Sequence, residues 1–247
     1  MKIIGGIKVS MNGVNRYSFA ETNTVDELAP VSTTIDKKRF SIIIEKIVKR
    51  IIDIIGGLIG IITLIPLSIV IYIANLLSKD KGPLFYCQER IGKDGKIFKM
   101  YKYRSMVVGA DEKLLKYLEE NEEARKEYKE YKKLKNDPRV TKVGNFIRKT
   151  SLDEFPQFIN VLKGNMSLVG PRPYLPREKE EMGKYYDCII KLKPGITGYW
   201  QIAGRSDVTF EDRLKMDYDY NKNKSLKTDF KLLIKTVLNV VKKEGAI

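Results

Sequence analysis

Residues 151–173 read SLDEFPQFINVLKGNMSLVGPRP. Two adjacent carboxylates, Asp153 and Glu154, stand beside what reads as a helix start. The stretch then passes Gly164 and Gly170 into the stiff corner Pro171-Arg172-Pro173, and Arg148 lies just upstream. A bland reading fits part of this. Ser151-Leu152-Asp153-Glu154 matches a capping box, with Ser151 as N-cap, Glu154 reaching back to it and Asp153 favoured by the helix dipole. Arg148, Arg172, the glycines and the prolines argue for chemistry instead. A helix N-terminus receives phosphate. A carboxylate placed there can attack phosphorus, and a neighbouring Glu can hold a hard cation such as Mg²⁺ through oxygen. The stretch therefore reads as an active site, and the surrounding chain as the means of holding it against a membrane.

The chain has 247 residues, enough for one large domain or two small ones with a real core. Lys and Arg number 46 against 31 Asp and Glu, a formal charge of +15. Such an excess favours partners that carry phosphate: nucleic acid, anionic lipid or nucleotide. The chain has no His, which excludes a His triad, a His base and a His-ligated zinc site. The two cysteines, Cys87 and Cys188, stand far apart and in no metal spacing. They fit a reducing compartment and read as small buried apolar residues.

Working upstream, Ile51–Leu77 is almost wholly apolar, with Lys46, Lys49 and Arg50 before it and Lys79 and Lys81 after it. As a straight helix it would cover about 40 Å, enough for a bilayer core of about 30 Å. Pro66 sits near its middle and removes a helical hydrogen bond. The parts on either side cover roughly 24 Å and roughly 16 Å, so neither crosses alone. Positive charge flanks both ends about equally and gives no inside–outside bias. A spanning helix and a re-entrant one bent at Pro66 are equally compatible with these residues. Asp53 would lie near the interface, paired with Arg50. Residues 1–44 show no sustained period or secretory signal and read as a flexible tail, with a short strand at Ile3–Val9.

Leu84–Gln88 and Lys96–Tyr103 read as two strands around the turn Gly92–Gly95. Arg90, Lys99, Lys102 and Arg104 interleave there with Phe98, Tyr101 and Tyr103, as a phosphate-facing hairpin would require. Residues 110–135 read as a solvated helix or helix pair, acidic early and basic late, stopped by Asp137-Pro138. Val140–Arg148 follows, with Gly144 as a break. After Pro173 a polar helix is expected from about Leu175 to Ile190. In KLKPGITGYWQIAGRSD (191–207) the glycines demand turns and Arg205 is a loop-borne cation. Trp200 and Tyr199 there could be core, a stacking platform or an interface anchor, core being the safest. Leu226–Lys243 is amphipathic: Leu226, Phe230, Leu233, Val237 and Val241 share one face. It suits a helix on a membrane surface and a core-packed helix nearly equally.

From about Lys46 onward the chain resembles the bacterial sugar transferases, the monotopic polyprenyl-phosphate hexose-1-phosphate transferases. The resemblance rests on separated motifs in the family's order: KRIIDIIGG followed by Pro66, QERIGKDGKIFKMYKYRSM, DPRVTKVGNFIRKTSLDEFPQFINVLKGNMSLVGPRP, KPGITGYWQIAGR and YNKNKSLKTDFKLLIKT. It implies an α+β, mostly helical fold. A re-entrant membrane helix, interface-lying amphipathic helices and a small β-hairpin surround a cytoplasmic active site. Residues 45–247 would be the transferase domain, with 45–80 in the membrane and 81–247 catalytic. With only about 45 residues before it, the chain looks like the family's short form.

The resemblance further implies transfer of a sugar 1-phosphate from a UDP-sugar to undecaprenyl phosphate with release of UMP. The sugar leans to galactose or glucose. The setting is the cytoplasmic face of the bacterial plasma membrane, the first lipid-linked step of exopolysaccharide or other glycan assembly. Mg²⁺ is the implied cofactor, held by Glu154 and Asp153. Asp153 takes the place of the nucleophile that forms a phosphosugar–aspartate intermediate. Arg148, Lys102 and Arg172 fall where phosphate-binding cations are expected, and Arg104, Arg90, Gln201 and Arg205 complete the expected substrate-binding set. Nucleic acid is not an expected partner, and a homodimer is compatible with the reading. One departure is that Ile65, not Ser, precedes Pro66, so Thr63 or Ser68 is expected to support the bend. The competing class is a non-catalytic membrane scaffold that binds anionic lipid or a glycan-assembly partner. That class leaves the Asp-Glu pair beside Arg148 and the Gly-Pro-Arg-Pro corner unexplained.

Overall fold

The computed structural model describes residues 29–78, 82–203 and 208–242. Ile3–Val9, Lys79, Lys81 and Arg205 lie outside the described residues. Two units divide at Ile43/Ile44, and the architecture below concerns the second. The fold is mostly helical, with one long apolar helix and two small sheets.

Helix α1 runs Ala29–Leu77 and continues as helix through Pro66. It begins within the segment that showed no period in the sequence. Its stretch Arg39–Leu77 is long and apolar enough to cross a membrane. From Ile44 onward one side of α1 is dressed with exposed Ile, Leu and Val, among them Ile55, Leu58, Ile62, Ile65, Ile69 and Leu76.

The other side packs on the rest of the second unit by three successive devices. First comes a polar latch. Lys49 pairs with Asp229 at 2.5 Å and donates to Val169 O, while Arg50 donates to Val161 O and Leu162 O. Asp53 is buried and accepts from Ser167 Oγ and Leu168 N at 2.9 and 2.8 Å. The expected Arg50–Asp53 pairing gives way to these partners, because the chain offers each group a closer match than its neighbour on the helix. Next comes a glycine seam. A Cβ on Gly56, Gly57 or Gly60 would lie 2.6, 2.6 or 2.1 Å from the side chains of Leu168, Leu162 and Phe158. Last, Leu64 and Ile71 bury themselves with Tyr103 and Ile147.

Proline at position 66 leaves the helix short of a donor, and side chains gather on the carbonyls just before it. Thr63 Oγ1 donates to Gly60 O at 2.9 Å, and Ser68 Oγ donates to Leu64 O at 2.8 Å. Both of the residues expected to take over from the missing serine thus bind backbone here. The Tyr103 hydroxyl reaches the same place, 2.6 Å from Ser68 Oγ and 3.2 Å from Leu64 O.

Strands β1 (Phe85–Ile91) and β2 (Ile97–Tyr103) pair antiparallel from Phe85↔Tyr103 to Ile91↔Ile97, around a turn with Asp94 and Gly95 at positive φ. Cys87, expected inside, is exposed on β1, and Cys188 is half-buried; both are free thiols. Helices α2 (Ala110–Glu120) and α3 (Glu122–Tyr131) form the anticipated pair, with Asn121 Oδ1 capping Ala124 N. Helix α4 (Lys142–Lys149) does not break at Gly144. That glycine lets the helix approach the Ser105 carbonyl, which a Cβ would meet at 1.9 Å.

Helix α5 (Gln157–Lys163) leads to β3 (Ser167–Val169), which pairs parallel with β4 (Gly195–Thr197). The single helix expected over Leu175–Ile190 is instead a string of short turns, interrupted where Gly183 takes φ 48°. Helices α6 (Phe210–Asn223) and α7 (Leu226–Lys242) close the fold. The expected apolar face of α7 is divided. Leu232 is buried and Leu233 packs on the main core, whereas Phe230, Ile234, Val237 and Leu238 are exposed.

Candidate active site

The turn after α4 sets the site. Ser151 sits in the left-handed region at φ 57° with no side-chain cap, and Leu152–Glu154 is a 3₁₀ turn; α5 begins only at Gln157. The capping box is therefore not formed. A non-glycine residue held at positive φ stores backbone strain, and here it frees the two acids from capping. Both turn to Lys102 on β2, whose Nζ lies 2.9 Å from Glu154 Oε1 and 3.9 Å from Asp153 Oδ2.

The Asp153 side chain is 13% exposed. Burial pushes its carboxyl up to about 6, the Glu154 charge pushes the same way, and Lys102 and Arg148 oppose them. It is therefore mostly a carboxylate at neutral pH, and less firmly solvated than a surface acid.

Beside the pair opens a shallow cleft lined by Arg90, Lys102, Glu154, Gln157, Arg172 and Trp200, among others. Arg90 is buried. Its Nη1 donates to Pro173 O at 2.9 Å and its Nη2 to Gln88 Oε1, which ties the hairpin to the Pro-Arg-Pro corner. Burial, with the Arg172 charge second, lowers it to about 10, so it stays cationic.

The corner itself is locked by the parallel strand pair. Gly170 N donates to Thr197 O and Gly195 N to Pro171 O. A Cβ on Gly170 would come 2.4 Å from Lys193 O, and one on Gly195 would come 2.1 Å from Gly170 N. The glycines of VGPRP and PGITG thus permit one backbone to lie on the other. From behind, buried Asp217 accepts from Arg172 N at 3.0 Å and Tyr174 OH at 2.8 Å, and burial pushes its carboxyl up to about 7. Asn160, fully buried on α5, accepts from Tyr101 N and donates to Lys99 O. Its amide thereby extends the edge of β2 onto the helix and fixes Lys102 relative to Asp153.

A family model described as bacterial sugar transferase matches residues 44–243. The chain belongs to the bacterial sugar transferase family. It is 48% identical over 201 residues to the UDP-galactose-lipid carrier transferase of Erwinia amylovora, covering 81% of this chain and 42% of that protein. It is 45% identical to the undecaprenyl-phosphate galactose phosphotransferase of Salmonella typhimurium, with the same shares covered. The exopolysaccharide production protein ExoY of Rhizobium meliloti is 39% identical over 198 residues, 80% of this chain and 87% of that one. The chain thus spans about two-fifths of the length of the first two relatives and most of the third.

Within this sugar transferase chain, Asp153, Glu154 and Lys102 come together as expected. Arg90, Arg172 and Gln201 line the adjoining cleft. Arg148, on the last turn of α4, acts on Asp153 through its charge and has a buried Nη1 without a hydrogen-bond partner among the described residues. Arg104 does not line the cleft: its guanidinium donates to Pro83 O and Met106 O and packs on Gly82. Among the described residues no group of three or more Asp, Glu, Cys or His side chains could hold a metal ion. The Asp153–Glu154 pair nevertheless fits Mg²⁺, which is commonly held by one or two carboxylates together with substrate phosphates.

Gln157, Asp217 and Asn160 escaped the sequence reading. Gln157 follows Asp153 by four residues, a weak spacing signal. Asp217 sits inside an ordinary polar helix and Asn160 inside an apolar one, and nothing local marks either. Trp200, expected in the core, faces the cleft instead.

Proposed function

We propose that this chain transfers a sugar 1-phosphate from a UDP-sugar to undecaprenyl phosphate, releasing UMP. The observation that carries the reading is the Asp153–Glu154 pair bridged by Lys102 at the rim of a cleft lined by Arg90 and Arg172. Arginines and lysine bind the donor diphosphate and stabilise the charge that develops on it. The Asp153 carboxylate attacks the sugar-bearing phosphorus. The bond from that phosphorus to the bridging oxygen breaks, and UMP leaves with the oxygen. A phosphate oxygen of undecaprenyl phosphate then attacks the same phosphorus and returns Asp153 as a free carboxylate. Glu154 and Asp153 are the residues that would hold Mg²⁺, which when bound neutralises charge on the donor phosphates.

The anchor fits the same reading. The catalytic part packs along one side of α1 from Lys49 to Ile71, a run of roughly 33 Å. A straight transmembrane crossing would drag those polar contacts into hydrocarbon, which is costly. A re-entrant helix bent at Pro66 keeps the cleft at the interface, where the acceptor phosphate lies. The exposed apolar side of α7 rests on the same surface. The cleft then faces the cytoplasm, the source of nucleotide sugars, and the reaction begins a lipid-linked exopolysaccharide or other glycan. The names of the relatives favour galactose, with glucose as the next donor to try.

The test is UMP release from a panel of UDP-sugars with undecaprenyl phosphate and Mg²⁺, for wild type and Asp153→Asn. One donor should release UMP with the wild type and none with the variant. Silence with every donor, from folded protein in membrane, would favour a non-catalytic scaffold.

A further inference from the structure

Trp200 is the chain's single tryptophan. Its neighbours in the turn Tyr199–Ile202 pack on the main core through Tyr199 and Ile202, while Trp200 itself lines the cleft beside Lys102 and Glu154. The Arg172 guanidinium stands 4.9 Å from its ring and that of Arg213 5.6 Å. The Arg213 guanidinium donates to Tyr131 O and Val208 O, and the Arg172 backbone N–H is held by Asp217. The indole therefore lies against two cations, one of them fixed by backbone carbonyls. Its Nε1 is buried and has no hydrogen-bond partner among the described residues. An indole nitrogen donates only, and a buried donor without an acceptor is unfavourable. The acceptor that such a surround selects is an anionic oxygen, because Arg90, Lys102 and Arg172 repel any cation.

We propose that Trp200 is a substrate-binding residue whose indole N–H donates to a phosphate oxygen in this cleft. This deepens the reading above and rests on it. The phosphate is that of the donor diphosphate or of the polyprenyl acceptor, both of which must visit Asp153. The two cation–ring contacts hold the donor in place before substrate arrives, so little ordering is needed on binding.

Having one tryptophan makes the test direct. The full chain in lipid nanodiscs is titrated with UDP, with the active UDP-sugar and with undecaprenyl phosphate while indole emission is followed, and UMP release is assayed on the same preparation. A saturable emission change with UDP assigns the contact to the donor, and a change with undecaprenyl phosphate alone assigns it to the acceptor. Unchanged emission with all three, from protein that still releases UMP, overturns the proposal and leaves the transferase reading intact. A response without UMP release upholds the site and counts against the transferase. Trp200→Phe keeps an aromatic ring and removes the N–H together with the five-membered half of the indole. It should raise KM for the phosphate that perturbs emission by about tenfold, with kcat changed by less. An unchanged KM sinks the hydrogen bond, because phenylalanine has no donor to offer at this position.

Discussion

Asp153 and Asp217 are both aspartates taken largely out of water, in regions that meet at Arg172. Around Asp217 one carboxylate oxygen ties backbone and ring together: Oδ2 accepts from Arg172 N and Tyr174 OH, while buried Oδ1 has no hydrogen-bond partner among the described residues. Around Asp153 the neighbours are charged side chains at an opening. Its charge is balanced by Lys102 and Arg148 without a tight ion pair, since Lys102 sits closer to Glu154. One aspartate holds backbone at a closed corner, and the other stands among cations beside an opening. Burial by itself does not mark a candidate catalytic acid; what marks it is a place beside a cation-lined cleft.

Asp153→Asn should break the comparison most sharply. UMP release should fall by at least about 10³-fold, as expected for loss of a covalent nucleophile. The melting temperature should move by no more than about 2 °C, since little internal bonding is lost. A variant that stays active would return Asp153 to a structural role.

Next in size is the pH dependence. In the proposed mechanism only the ionised Asp153 attacks phosphorus, so kcat/KM should fall about tenfold per unit below pH about 6 and level off above it. Asp217 should show in stability instead. Its folded carboxyl titrates at about 7, above the ordinary value near 4, so the folded state retains a proton that the unfolded chain releases between those values. Stability from this site is full below about pH 4 and is lost as pH rises to about 7. Denaturant titrations across that window should show the loss in wild type and a smaller one in Asp217→Asn. Equal slopes would mean that Asp217 is already ionised at low pH.

Asn160→Ala should cost about 2–3 kcal/mol in denaturant unfolding, because it strands a backbone donor and a backbone acceptor of β2. Tyr103→Phe should have the smallest effect, about 1 kcal/mol, from loss of its contacts at Ser68 and Leu64 O. A large loss of activity with unchanged stability in that variant would show that the clasp sets the position of neighbouring Lys102.

Elements with strong local signals could be read from the sequence. The hairpin was visible from alternating aromatics and cations around a glycine turn, and the α2–α3 pair from its charge order. The apolar run of α1 was equally plain. Where two local rules competed, the reading went astray. Ser151 had the letters of a helix cap, yet tertiary packing put it in a left-handed turn. Arg50 and Asp53 had the spacing of an ion pair, yet each found partners more than a hundred positions away. Trp200 had the size of a core residue, yet lies against arginines.

The sequence by itself determined which groups the candidate site has to work with. An Asp-Glu pair, an excess of arginine and lysine and the absence of histidine are matters of composition and order. It also determined where one backbone must touch another, because only glycine allows an approach as close as that of Gly170 to Gly195. Tertiary structure alone decided how the acids are used. Lys102 lies some fifty residues from Asp153, and the Asn160 bridge between β2 and α5, together with the core those elements share, brings them together. Contacts at that separation depend on how the elements pack in space, and no local propensity records them.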